Sequence, residues 1–436
     1  MVTREASNHT RRVVVTGIGM VTPLGTDRET SWQGLIEGRS GAGPITLFDA
    51  SDLPVRFGCE VPDFDPTVVL ERKTVRRTDR YTHLAVAAAR EAAADAGLEL
   101  SSYTQPQRVG VAVATGMGGL QTLLEGARTM DSDGPDRVSP FALPALIPNM
   151  ASAWVSIELG AMGPVSAACT ACAASTMGIA DATLYLRNNL ADVMIAGGSE
   201  AVINPLAITG FAAARALSQR NDDPRRASRP FDSDRDGLVM GEGASVLVLE
   251  ELEHAQARRA RIYAELLGFG LSADAEHITA SDPTGKSPAR AIGLALDDAG
   301  VSPHDIGYIN AHATSTPVGD TAETNVIRLV FGDEGARSTP ISSTKSMTGH
   351  MFGAAGATEA AICVLAMSYG LLPPTINHES PDPDCGLDYI PNDVRPANVT
   401  HSLTTSFAFG GHNAALVFHR WDGPEGRRTG KHHDGS

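Results

Sequence analysis

Several things are scarce in this chain of 436 residues, and each scarcity removes a class of function. Cysteine occurs five times, at Cys59, Cys169, Cys172, Cys363 and Cys385, and only Cys169 and Cys172 are near neighbours. No second Cys pair or His cluster stands at metal-ligand spacing, so neither a zinc module nor a disulfide framework is expected. Reduced thiols in a cytoplasmic setting are the simpler expectation. Positive charge is also short, with 35 Lys and Arg against 51 Asp and Glu and a formal net charge of −16. That balance disfavours nucleic acid and anionic membrane as general partners. Residues 1–12 are polar and mixed in charge, without the apolar core of a signal peptide. The longest apolar helical run, residues 354–367, is too short to span a bilayer and contains Glu359. A soluble protein is expected. Charged residues make up only 20% of the chain against 42% hydrophobic, which excludes wholesale disorder.

What the chain does have is an alternation of strand-like and helix-like runs, the mark of an α/β fold. Residues 13–19, 109–113, 192–198 and 246–249 read as strands, and residues 82–96 as an Ala-rich helix closed by Gly97. From about residue 262 the pattern starts again. Ser287-Pro288 opens a helix that Gly300 closes, a strand follows at 306–311, and a helix is expected from Asp320 with Glu323 completing a capping box. Two late strands are expected at 402–406 and 414–418. The halves, residues 12–258 and 259–422, share an order of elements but little residue identity. Residues 1–11 and 423–436 are expected to be disordered tails. Two tempting motifs fail. The Gly17-Ile18-Gly19 turn has Thr22 where a dinucleotide fingerprint needs its third glycine. Asp232-x-Asp234-x-Asp236-Gly237 resembles a calcium loop, but Gly243 stands where the bidentate Glu belongs, and no helix leads in.

The stretch from Gly163-Pro164 to Thr170-Ala171-Cys172 and on to Gly178 is apolar and built of small residues. It reads as a strand over 165–170 breaking into a helix near Cys172. A thiol on the first turn of a helix sits in the positive end of its dipole, which favours thiolate. Free N–H groups there can hold an oxyanion. Taken alone, the stretch favours reading both cysteines as small core residues, and the rest of the chain reverses that. Three further motifs follow: Asn310-Ala311-His312-Ala313-Thr314-Ser315-Thr316-Pro317, Lys345-Ser346-Met347-Thr348-Gly349-His350, and Thr405-Ser406-Phe407-Ala408-Phe409-Gly410-Gly411-His412-Asn413. Either histidine alone could be structural. Together, two neutral imidazoles can hold the oxygen of an enolate formed by losing CO₂ from a malonyl thioester.

With these motifs the chain resembles the β-ketoacyl-[acyl carrier protein] synthases, the elongating condensing enzymes of fatty-acid and polyketide synthesis, over residues 12 to 422. The nearest pattern is the synthase II type. The resemblance implies a thiolase-like duplicated five-layer αβαβα fold, a homodimer, and no resident cofactor, since 4′-phosphopantetheine arrives on the acyl carrier protein. It places the nucleophile on Cys172, because Cys169 fits only with a deletion before it and an insertion after it. The catalytic histidines fall on His312 and His350, and Lys345 and Glu359 order them. The gating loop falls on Phe407, Phe409, Gly410 and Gly411, with the N–H groups of Cys172 and Phe409 as oxyanion hole. Thr314 and Thr316 match the pantetheine-binding positions, Met117 and Phe211 the acyl pocket, and Arg76, Arg77, Arg137 and Arg215 the carrier-docking segments. Acyl and malonyl thioesters are the implied substrates.

The chain departs from the family pattern at four places. Cys169 replaces a plain apolar residue, Ala408 a glycine of the gating loop, and His412 a common Thr. Ala142 replaces an aromatic that reaches toward the partner protomer's acyl pocket. A thiolase would need a second cysteine in the late loop, and an initiating synthase would carry Asn in place of His350. A chain-length partner subunit would lack Cys172. Housekeeping and specialised pathways, including an antibiotic-resistant variant with an altered acyl pocket, both stay open.

Overall fold

The structure is a computed structural model in which residues 11–99 and 103–423 are described. The expected disordered tails lie outside the described residues, save Arg11 and Gly423. Ten strands hydrogen-bond into one sheet: β1 (Val13–Val21), β2 (Val109–Ala114), β3 (Val165–Ser166), β4 (Val193–Glu200), β5 (Gly243–Glu251), β6 (Ala264–Ala273), β7 (Tyr308–Asn310), β8 (Ile341–Ser342), β9 (His401–Ala408) and β10 (His412–Arg420). Their order is β8-β7-β9-β10-β6-β1-β5-β4-β2-β3.

Each half repeats one plan. β2 runs parallel to β3 and β4, and β5 antiparallel to β4 and β1. In the second half β7 runs parallel to β8 and β9, and β10 antiparallel to β9 and β6. The halves meet where β1 pairs with β6, Val13 opposite Leu266. Duplication is thus explicit in the topology although the residues have diverged.

The principal helices are α1 (Arg80–Asp95), α2 (Ala142–Leu146), α3 (Met150–Leu159), α4 (Ala174–Arg187), α5 (Lys286–Ala299), α6 (Pro317–Ser338) and α7 (Ala355–Tyr369). Asp79 caps α1 by accepting the Tyr81 N–H, and Gly300 closes α5 at φ +66°. Helix α1 covers β1, β5 and β4, and α5 covers β6 and β10. Helices α4 and α7 pack on each other and on strands of both halves, which completes five layers. The glycines of the failed dinucleotide motif serve this packing: a Cβ on Gly19 would lie 1.9 Å from the Ala88 carbonyl oxygen of α1.

Three sequence expectations are corrected. The strand expected over 165–170 is confined to Val165–Ser166, because the chain must turn through a 3-10 segment, Ala171–Ala173, to enter α4. Helix α6 starts at Pro317 with Thr316 as N-cap, so Asp320 and Glu323 are buried inside its first turns and form no capping box. The helical segment Phe352–Tyr369 has 18 residues at mean hydropathy 1.3, long and apolar enough to cross a membrane by length and composition. Its burial is 89%, which makes it the core helix of the central layer. The Asp232 carboxylate of the calcium-like loop is occupied otherwise, paired with Arg229 and accepting the N–H groups of Asp234, Glu379 and Ser380.

Candidate active site

The duplication sets up the site. Both central helices are entered through a 3-10 turn, Ala171–Ala173 before α4 and Phe352–Ala354 before α7. Each turn begins on a left-handed residue that is not glycine, Ala171 at φ +48° and Phe352 at φ +43°. Such backbone costs on the order of 1–3 kcal/mol per residue and persists only where packing fixes it. The first turn carries Cys172 and the second follows His350, so the two equivalent corners meet face to face. His350 Nε2 lies 2.9 Å from Cys172 Sγ.

His312 comes from the loop after β7. Its ring meets that of His350 edge-on, with centroids 5.5 Å apart, and the ligating atoms of Cys172, His312 and His350 all lie within 4.8 Å of one another. Helix α6 holds this loop through two buried carboxylates. Glu323 accepts the N–H groups of His312 at 2.9 Å and Ala313 at 2.6 Å, and the Thr405 hydroxyl at 2.7 Å. Asp320 accepts the N–H of Ser315 at 3.1 Å and of Phe231 at 2.9 Å. Ser315, left-handed at φ +68°, sits between Thr314 and Thr316, whose hydroxyls are 3.2 Å apart.

Burial drives the electrostatics. Desolvation, reinforced by the nearby Lys345 ammonium, holds both imidazoles well below the usual histidine range, so both are neutral. Lys345 is itself buried and paired with Glu359, whose carboxyl burial pushes up to about 7. Burial pushes the Cys172 thiol up to about 12, with Lys345 opposing it. This reverses the expectation of a thiol ionised by a helix N-terminus. The regular helix starts only at Ala174, and the thiol packs against a cluster with Met117, Phe211 and Phe352, where desolvation is the largest influence on it. At rest the pair is thiol and neutral imidazole.

Cys169 is exposed, and its thiol donates to the Gly116 carbonyl oxygen at 3.3 Å. Phe407 lies 6.1 Å from the His312 ring. Phe409, 41% exposed, begins an aromatic series through Phe211 and Phe352 to His350, with centroids 6.4, 5.1 and 4.6 Å apart. The turn beyond Phe409 is carried by Gly410 at φ +84° and Gly411 at φ +73°. Ala408 is a paired residue of β9 opposite His412, so no glycine conformation is required there in this state.

Met117 and Phe211 pack in the cluster that contains Cys172. Ala142 opens α2, and this helix reaches the same region through the Leu146 carbonyl, which accepts the Gly119 N–H at 3.0 Å. The structure does not bring Ala142 into the Cys172 cluster. Arg76, Arg137 and Arg215 are exposed, and Arg77 lies over the Phe141 ring at 4.3 Å. None of the four has an ion pair among the described residues. Arg80, close to Arg76 and Arg77 in sequence, is instead bound to Glu242 at 2.7 and 2.6 Å. Sequence reasoning missed the positioning roles of Asp320, Glu323 and Phe352. The one available signal was a pair of carboxylates near the start of a helix that follows His312.

The chain matches the Beta-ketoacyl synthase, N-terminal domain over residues 10–255 and the corresponding C-terminal domain over residues 263–379. It belongs to the beta-ketoacyl synthase family. It is 51% identical to 3-oxoacyl-[acyl-carrier-protein] synthase 2 of Synechocystis sp., covering 94% of this chain and 98% of that one. It is 48% identical to the protein of the same name from Coxiella burnetii, covering 94% and 99%. Among solved structures it is similar to the ishigamide ketosynthase/chain length factor, at TM-score 0.89 and 38% identity, covering 95% of this chain and 100% of that chain. A Beta-ketoacyl synthase from Burkholderia phymatum matches at TM-score 0.87 and 37% identity, covering 94% and 100%. So does a type II PKS ketosynthase bound to the hexaketide and in complex with its acyl-carrier protein, at TM-score 0.87 and 35% identity, covering 95% and 100%.

Proposed function

We propose that this beta-ketoacyl synthase joins an acyl group carried on Cys172 to malonyl-[acyl carrier protein] by decarboxylative Claisen condensation, giving a 3-oxoacyl-carrier thioester. The observation that carries this reading is the contact of Cys172 Sγ with His350 Nε2 beside a second neutral histidine. The thiol proton passes to His350 Nε2 as Sγ attacks the acyl thioester carbonyl, and the carrier's pantetheine thiol leaves with that proton. The malonyl thioester then loses CO₂. Once Cys172 is acylated, His350 takes the Nε2–H tautomer, so the Nε2–H groups of His312 and His350 hold the enolate oxygen. The enolate carbon attacks the acyl-Cys172 carbonyl and expels the thiolate, which takes up one proton from water to restore the resting thiol. The N–H groups of Cys172 and Phe409 receive the oxyanion, and Thr314 and Thr316 hold the pantetheine. The reaction needs no resident cofactor. Phe407 and the Phe409-Gly410-Gly411 turn gate entry.

Arg76, Arg77, Arg137 and Arg215 form the landing surface for an acidic carrier, since an acidic enzyme needs a local positive patch to attract one. A homodimer in the cytoplasm is the assembly we infer. Strand β3 is one edge of the sheet, and Leu143 (69% exposed), Ile157 (66%) and Met162 (72%) leave an apolar face along α2, α3 and the approach to β3. Ala142 supports a second reading of the substrate, a longer or bulkier acyl chain of a specialised pathway, because it stands in place of an aromatic that would reach toward the partner protomer's acyl pocket.

Cys172→Gln should keep malonyl decarboxylation and lose condensation, whereas His350→Ala should depress decarboxylation. Release of CO₂ and of 3-oxoacyl product, measured separately on folded variants, checks both. Loss of both activities in Cys172→Gln would refute the division of labour.

A further inference from the structure

Glu200, the last residue of β4, is fully buried, and its carboxylate forms no ion pair among the described residues. Four neutral donors meet it instead. Oε1 accepts the Thr115 hydroxyl at 2.9 Å and the Met117 N–H at 3.3 Å. Oε2 accepts the N–H of Gly116 at 2.7 Å and of Gly353 at 3.0 Å. Thr115 Oγ1 in turn accepts the Gly118 N–H at 3.2 Å, which closes the turn around Met117.

One carboxylate therefore ties two separate segments: the turn after β2 that bears Met117, and the turn before α7 that bears Phe352 and follows His350. The two turns touch. A Cβ on Gly353 would lie 2.1 Å from Gly116 N, and a Cβ on Gly116 would lie 2.6 Å from Glu200 Oε2, so no side chain fits between them. Phe352 faces the His350 ring at 4.6 Å and Phe211 at 5.1 Å. Burying a carboxylate without a cation is costly, and burial pushes this one up to about 7. A residue kept only for packing would do as well without the charge.

We propose that Glu200 is a positioning residue that couples the depth of the acyl pocket at Met117 to the placement of His350. The proposal rests on the reading of Met117 as pocket lining and of His350 as a decarboxylation residue. An acyl chain that displaces Met117 pulls on the same carboxylate that holds Gly353. Chain length and histidine geometry are then set by one clasp. Glutamine at this position keeps a single carbonyl oxygen. That oxygen belongs on the side of Gly116 and Gly353, because an NH₂ there would oppose two N–H donors. The NH₂ then faces Thr115, whose hydroxyl can turn to accept it, and the Met117 N–H loses its acceptor.

The test is a set of variants of the full-length enzyme read in two ways: intact mass after incubation with carrier proteins bearing an even-carbon ladder of acyl chains, and CO₂ release from malonyl-carrier. Glu200→Gln should load chains at least one ladder step longer than wild type, with decarboxylation within a factor of about two. Glu200→Ala should also load longer chains, and its decarboxylation should fall by about tenfold, the scale of buried donors left unmade. Rescue of decarboxylation but not of the length limit by Gln is the signature of the clasp. If Glu200→Ala does not fold, Thr115→Val, which removes one donor on the Met117 side, should lengthen the limit while decarboxylation persists. Wild-type behaviour of Glu200→Ala in both measurements overturns the proposal. So does an equal loss of short-chain loading, long-chain loading and decarboxylation, which would mark a purely structural role. Met117→Phe is the control: it should shorten the limit. If it does not, the pocket reading fails, and the clasp is judged on the decarboxylation contrast between Gln and Ala.

Discussion

At the scale of single residues, the resting state of Cys172 decides how the site is switched on. The thiol is raised to about 12 by burial while His350 is held below its usual range, so proton transfer between them awaits substrate. A raised thiol pKa means that the thiolate fraction keeps growing with pH. Alkylation of Cys172 by iodoacetamide should therefore climb through pH 6 to 9 without a plateau, since each of those values lies below about 12. A plateau near neutral pH would show an ionised resting thiol and overturn the assignment. Mass mapping of the alkylated peptide distinguishes Cys172 from the exposed Cys169. The roles of Cys172, His312 and His350 were suggested by motif resemblance. The neutral imidazoles were expected as well; the protonated thiol was not, because it depends on desolvation beside Met117, Phe211 and Phe352, which come from distant parts of the chain.

At the scale of elements, the gating loop shows where backbone freedom is needed. Gly411 is left-handed at φ +73°, and a Cβ there would lie 2.9 Å from the Asp274 side chain. Gly411→Ala should lower stability by about 1–2 kcal/mol, the usual cost of a left-handed alanine, and slow acyl loading. Ala408→Gly should leave the thermal midpoint nearer wild type, since Ala408 is an ordinary strand residue here. Thermal melts and loading rates of the two variants check this, and a larger effect at Ala408 would count against it. Elements with strong local signals were legible in the sequence: the Ala-rich α1 with its closing Gly97, and α5 with Gly300. The start of α6 was not. Asp320 and Glu323 look like cap residues in one dimension, but their carboxylates are used by Ser315, His312 and Ala313 across space.

At the scale of the whole molecule, the homodimer inferred above draws on the β3 edge of the sheet and the apolar face beside it. Light scattering should give twice the chain mass. A double variant, Ile157→Asp with Val165→Asp, should give one chain mass and lose loading, because charges on a face of this kind oppose its burial. A monomeric wild type at working concentration would overturn the assembly.

The sequence by itself determined the alternation of strands and helices, the repetition of two halves, and the three motifs that place a cysteine and two histidines at corners of the chain. These follow from periodicity, glycine placement and residue chemistry, which are local. Only the tertiary structure decided that the corners before α4 and α7 face each other at hydrogen-bond distance, that Cys172 rests protonated, and that Glu200 and Glu323 hold loops rather than solvent. Burial is the physical reason: it strips water from charges and fixes long-range donors and acceptors, and neither effect is written in the neighbours of a residue along the chain.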